Sequence, residues 1–250
     1  MPVQSLPLHV HVMFALFVGI SVYASNLTGF ALALVLLGLV GVTNIVPLQD
    51  AVNAVTIIII VNALFFLHKR RPLRIQPAIK TAVATSLGGS LLGMALLTYL
   101  AANAFHVLRL LLGICVIACA ALLWRSVKPY PVESDRKTFA LVGVLSGVLG
   151  GLIATAGPPL VYATYRQPWS IEVIQESLIF TFGVGAVLRL AVMTASGHMS
   201  SISVQLAAEA VPVAMLVTAL AANRRPPFSK QVLQRIVCVL LVCAGVGILV

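Results

Sequence analysis

Apolar blocks of roughly 20 residues, each long enough to cross a ~30 Å hydrocarbon core, recur from one end of this chain to the other. They cover approximately residues 10–41, 48–67, 77–101, 105–124, 139–165, 171–195, 201–222 and 228–250. Between them only short loops remain, and no stretch is large enough for a separate soluble domain. Of the 250 residues, 60% are hydrophobic and 9% charged, far below the quarter or so of charged residues that a water-facing domain carries. The chain reads as an all-α integral membrane protein.

A formal net charge of +10 raises the question of a nucleic-acid partner, but Lys and Arg sit in the short loops between apolar blocks. That is the pattern of cytoplasmic loops, and no nucleic acid is expected. Cys115, Cys119, Cys238 and Cys243 lie inside apolar blocks without a CxxC spacing or a nearby His. They read as small packing residues, and neither a metal nor a cofactor is expected. The N-terminal block lacks a basic leader and its pattern recurs mid-chain, so it is read as mature structure and not as a cleaved signal.

The polar stretch Arg125–Thr138 divides the chain into a first repeat at 1–126, a cytoplasmic linker at 127–138 and a second repeat at 139–250. Gly19 and Gly29 in the first block are spaced like Gly147 and Gly157 in the fifth. Each pair flanks a small, polar tip: Ser25-Asn26-Leu27-Thr28-Gly29, then Ala154-Thr155-Ala156-Gly157-Pro158-Pro159. After a proline (Pro47, Pro168), an acidic-x-x-amide pattern opens the next block, as Asp50 with Asn53 and as Glu172 with Gln175. Apart from a one-residue slip between proline and acid, the two copies read as an internal duplication. The first block, 32 residues, would span ~48 Å as one helix. A break at Asn26–Gly29 divides it into two arms of similar length, and the Pro158–Pro159 pair suits the first turn of a new helix.

Blocks 1 and 5 either cross the membrane or enter and turn back. If both turn back, fourteen of the sixteen basic residues fall on one side and only Arg109 and Arg189 fall elsewhere. The positive-inside rule therefore favours re-entrance of block 5, and block 1 follows by the repeat. Each half then holds one hairpin and three crossings. The expectation is two inverted four-segment repeats with tips near mid-membrane, basic loops in the cytoplasm and both termini outside.

A helix that starts inside the membrane presents unpaired N–H groups and the positive end of its dipole, a ready anion site when buried. Candidate substrate contacts are Asn26, Thr28, Gly29, Thr155, Gly157 and Pro158 at the two tips. Asn53, Asn62 and Gln175 either bind substrate or hydrogen-bond neighbouring helices. Glu176, Arg189 and Glu209 lie deeper. Glu209 is a candidate for proton coupling or for neutralising Arg189, with which it also fits a purely structural ion pair; Arg189 could instead attract the substrate. Gly89/Gly93, Gly143/Gly147 and Gly147/Gly151 suit close helix packing in lipid.

The run Gly143-Val-Leu-Ser-Gly-Val-Leu-Gly-Gly-Leu-Ile-Ala-Thr-Ala-Gly-Pro-Pro-Leu-Val resembles the signature of the sulfite exporter TauE/SafE family. The two four-block halves, the short linker and the basic loop at His68-Lys-Arg-Arg resemble its layout. The resemblance implies transport of sulfur-containing anions or small organic acids, with substrate contacts at Thr155 to Pro159 and at Asn26 to Gly29. The first half departs from the family's glycine-rich form and has no proline at its tip.

The chain is accordingly expected to be a secondary transporter that exports a small anion across the cytoplasmic membrane by alternating access. Sulfite or an organosulfonate is the expected cargo. A potential of 100 mV assists a monovalent anion outward by about 2.3 kcal/mol, so no coupling ion is required, although a proton gradient would also serve. An enzyme is not expected, since no HExxH or GxSxG is present and the histidines fall near block ends. Alternatives are a carrier for small carboxylates and a membrane scaffold or assembly subunit. Oligomeric state is left open.

Overall fold

The computed structural model describes residues 7–103, 121, 124, 130–153, 158–197, 199–222, 235, 238, 239 and 242. Apart from isolated positions, the blocks expected at 105–124 and 228–250 lie outside the described residues. So do Thr155 and Gly157.

A lipid environment leaves a polypeptide little choice but to pair its own backbone, and the described residues form helices and no strand. In chain order these are α1 (Leu8–Thr28), α2 (Leu32–Thr43), α3 (Leu48–Lys69), α4 (Pro77–Asn103), α5 (Arg136–Ile153), α6 (Pro158–Tyr165), α7 (Ile171–Ala195) and α8 (Ser201–Ala222). Five of them, α1, α3, α4, α7 and α8, are long and apolar enough to cross a membrane. Leu16, Leu64, Leu92, Leu141, Leu216 and Leu220 are each more than half exposed, a surface suited to acyl chains and not to water.

Local chemistry sets the helix ends. Asp50 and Glu172 fall in the first turns of α3 and α7, and His68 and Lys69 in the last turn of α3, each complementing the helix dipole. Ser170 caps α7 by accepting the Val173 N–H. Asp135 accepts both the N–H and the hydroxyl of Thr138 as α5 begins, which holds its carboxyl below the usual range. Pro158 and Pro159 open α6, the position where a missing N–H costs least.

The first block breaks later than its sequence suggests. Asn26, Leu27 and Thr28 remain helical, and the break is Gly29–Ala31. Gly29 takes φ 87° and returns its N–H to the Ser25 carbonyl at 2.6 Å. A Cβ there would stand 3.0 Å from Gln175 Cα, so both conformation and space demand glycine. The arms are consequently unequal, 21 residues in α1 and 12 in α2. Val10, Phe14, Val18 and Val22 of α1 share one buried apolar cluster with Leu32, Leu36 and Val40 of α2 and with faces of α3 and α8.

The second block is tied at its ends. Ser134 N–H donates to Gln167 Oε1 at 2.9 Å, Gln167 Nε2 donates to Ser134 Oγ at 3.0 Å, and Trp169 Nε1 donates to Glu133 at 2.6 Å. Tyr130 N–H reaches the Arg166 carbonyl at 2.6 Å, with the Arg166 guanidinium 4.0 Å over the Tyr130 ring. The strand of chain entering α5 and the one leaving α6 thus lie side by side.

Helices α4 and α5 approach until their backbones touch. A Cβ on Gly147 would lie 2.2 Å from the Ser86 carbonyl oxygen; on Gly151, 2.3 Å from that of Ser90; on Gly93, 2.2 Å from that of Val148. The glycine spacings seen in the sequence are the two sides of this seam, whose attraction in lipid is close packing with Cα–H···O contacts. Neighbouring glycines on α4 provide a test. A Cβ on Gly89 would meet the Val144 oxygen at 2.4 Å, whereas one on Gly88 meets nothing within 4 Å. Gly89→Ala is expected to destabilise the protein by roughly 1–3 kcal/mol, with Gly88→Ala neutral or slightly stabilising. Thermal unfolding in detergent checks this, and equal midpoints would argue against a backbone-contact seam.

Candidate functional site

A partly open cavity of about 60 Å³ lies where the α1–α2 break, α3, α4, the end of α5 and α7 meet. Ser25, Gly29 and Phe30 border it from the break, Thr56 and Asn62 from α3, Ser90 and Met94 from α4, and Gly150 and Gly151 from α5. From α7 come Ile179, Phe182 and Arg189. Gln175, against Gly29, and Arg189, against Gly151, are fourteen residues apart on α7, or ~21 Å at 1.5 Å per residue.

Arg189 is the charged residue of this lining. Its Nη1 donates to the Gly151 carbonyl at 3.3 Å, and its buried Nε has no hydrogen-bond partner among the described residues. The carboxylate expected beside it is elsewhere. Glu209 instead accepts from His11 Nδ1 at 2.6 Å and from Gln205 at 3.1 Å, on a half-exposed edge between α1 and α8. Arg189 and Glu209 therefore do not meet, because α8 packs on α1 and α3 while Arg189 points toward α5. Glu176, buried near the start of α7, accepts the Arg74 N–H at 2.9 Å and holds the basic loop after α3.

The tip residues divide between lining and support. Gly29 lines the cavity. Thr28 turns its hydroxyl back to the Ala24 carbonyl at 2.7 Å and accepts the Phe30 N–H at 3.4 Å. Gln175 donates to the Leu27 carbonyl at 2.6 Å, and the Tyr165 hydroxyl donates to the Thr28 carbonyl at 2.7 Å. These two side chains satisfy carbonyls that the end of α1 leaves unpaired. The Phe30 and Tyr165 rings meet edge-on, their centroids 6.3 Å apart. Asn53 is buried on α3 and is not among the cavity-lining residues. Pro158 begins α6; Thr155 and Gly157 fall outside the described residues.

Asn26 enters a buried relay. Its Nδ2 donates to Thr218 Oγ1 at 3.0 Å, and Thr218 donates to Asn62 Oδ1 at 2.6 Å. Three helices are joined, and the Asn62 end borders the cavity. Thr218, Tyr165, Ser90 and His11 were not legible as site or support residues. Their partners are remote in sequence, 192 positions away for Thr218 and Asn26 and 137 for Tyr165 and Thr28, and no local spacing marks them.

A family model, Sulfite exporter TauE/SafE, matches residues 12–248. The chain belongs to the sulfite exporter TauE/SafE family. A curated relative from Cupriavidus necator, "Probable sulfite/organosulfonate exporter TauE", is 29% identical over 233 residues, covering 92% of this chain and 90% of that protein. No solved structure matches. Membership in TauE/SafE makes the chain a multi-pass member of an exporter family.

Within this TauE/SafE fold the relay has a measurable weight. Thr218→Val keeps the shape but removes a hydroxyl serving two buried amides, and is expected to cost roughly 1–3 kcal/mol. Thr194→Val, at an exposed hydroxyl that donates to the Leu190 carbonyl of its own helix, should leave the midpoint nearly unchanged. Comparable losses in the two variants would remove the relay from the account.

Proposed function

We propose that this protein is a secondary transporter that exports a small sulfur-containing anion, sulfite or an organosulfonate, across the cytoplasmic membrane. Arg189 is the observation that carries this reading: a half-buried cation in a partly open cavity, bonded to a carbonyl and with no carboxylate beside it. Family membership and the relative's printed name point to the same cargo class. A guanidinium presents donors in a fork that matches an oxyanion, and low-dielectric surroundings strengthen the pairing. Asn62, Ser90 and Thr56 supply neutral polar groups around the same space, and Gly29 admits close approach to the backbone.

The proposed architecture is a pair of inverted repeats, 1–126 and 139–250, joined at 127–138. In each, the broken block enters the membrane and returns. The side-by-side pairing of Ser134 with Gln167 and of Glu133 with Trp169 supports this for α5–α6. Shared burial of α1 with α2 supports it for the first block. Alternating access would then expose the cavity to each side in turn, by one repeat rocking against the other. Since Glu176 and Glu209 are both engaged away from the cavity, membrane potential is the driving force assigned, and proton coupling through either carboxylate is not part of this reading.

Counterflow of labelled sulfite in proteoliposomes tests the carrier. Saturable exchange is expected, with Arg189→Gln lowering it roughly 10–100-fold, as loss of a hydrogen bond to a charged group worth about 1.5–3 kcal/mol would do. Arg189→Lys should retain part of the activity, and Glu209→Gln nearly all. A folded Arg189→Gln protein exchanging at the normal rate would move the site elsewhere; absence of exchange with any anion would end the carrier reading. Topology has its own check. Single cysteines at Ser134 and Trp169 in a cysteine-free background should react with an impermeant thiol reagent from the same, cytoplasmic side. Labelling from opposite sides would mean that α5–α6 crosses the membrane.

A further inference from the structure

We infer that the cavity selects by charge number: it takes singly charged oxyanions, hydrogen sulfite and monosulfonates, and rejects doubly charged sulfite, sulfate and disulfonates. This rests on the anion-carrier reading above and concerns the same site.

The chain has six acidic residues, all within the described residues, and none lines the cavity. Asp50 accepts hydroxyls from Ser200 and Ser203, Glu133 holds Trp169, and Asp135 caps α5. Glu172 sits in the first turn of α7, Glu176 on the Arg74 N–H and Glu209 on His11. Arg189 thus brings one positive charge into the cavity with no carboxylate to offset it, and no second Lys or Arg stands beside it among the described lining residues. Much of the remaining wall is apolar, including Phe30, Ile179, Phe182 and Met94.

Such a space is close to neutral when one negative charge enters. A monoanion against Arg189 forms a compensated pair, its other oxygens facing neutral donors such as Asn62 and Ser90. A dianion in the same position leaves one uncompensated negative charge surrounded largely by hydrocarbon, the arrangement that low-dielectric interiors tolerate least. Discrimination therefore comes from the dianion's unmet desolvation and not from a clash, so size alone does not predict it. Hydrogen sulfite and sulfite differ by one proton lost near neutral pH, and they become a matched pair of probes. The described wall near Arg189, formed by Ser90, Met94, Gly150, Gly151 and Ala186, carries no other titratable side chain. A change of rate with pH is thereby assigned to the substrate.

The experiment is competition counterflow with the full-length protein in proteoliposomes, from mildly acid to mildly alkaline pH. Methanesulfonate, a monoanion throughout, and sulfate and ethanedisulfonate, dianions throughout, are the fixed-charge references. The inference expects sulfite exchange to follow the hydrogen sulfite fraction as pH changes, methanesulfonate exchange to stay flat, and both dianions to compete at least roughly tenfold more weakly than methanesulfonate. Equal competition by the dianions would overturn charge selection while leaving an anion carrier in place. Methanesulfonate exchange falling with pH in parallel with sulfite would also overturn it, by assigning the titration to the protein. Exchange of no anion at all would overturn the carrier reading itself, and this inference with it.

Discussion

A peptide group without a hydrogen-bond partner is costlier in hydrocarbon than almost anywhere else, and a helix interrupted inside a bilayer exposes several at once. The break at Gly29 survives because its orphaned carbonyls are met by name: Leu27 by Gln175 and Thr28 by Tyr165. Most other features of the centre follow from that requirement. Gly29 must be glycine to let α7 come within reach, the Phe30 ring turns edge-on to Tyr165, and the space left beyond the capped carbonyls becomes the cavity.

The second half reaches the same region by another device. Helix α5 is held against α4 by backbone contact along Gly143, Gly147 and Gly151. The last glycine of that row also offers the carbonyl that steadies Arg189. One row of missing side chains therefore sets both the closeness of the helices and the position of the cavity's cation. A bulkier residue along it would move the charge as well as loosen the packing.

Much of this was legible in the sequence because it depends on local rules. Block length gave the helices, Pro158–Pro159 gave the start of α6, and Asp50 and Glu172 gave the first turns of α3 and α7. Glycine spacing announced a seam, though not which helices it joins. What the sequence left hidden depends on long-range register. Asn26 was readable as a tip residue and Gln175 as an amide meeting substrate or a neighbouring helix, but only the packing directs one to Thr218 and the other to a backbone carbonyl. Arg189 and Glu209 lie on consecutive helices at depths that suit a pair, yet the rotation of each helix about its axis separates them. The facing of α7 is set by its packing on α3 and α4, and that of α8 by its contacts with α1 and α3, and no short window of residues encodes either.

The caps on α1 come from the other half of the molecule. Thr28 and Tyr165 are separated by 137 positions, so at a synthesis rate of about 5–20 residues per second the break waits on the order of ten seconds for its partner. Until then the end of α1 lacks the two side chains that meet its carbonyls in the finished fold. Completion is an event in time: the late arrival of α6 and α7 closes the structure that α1 began.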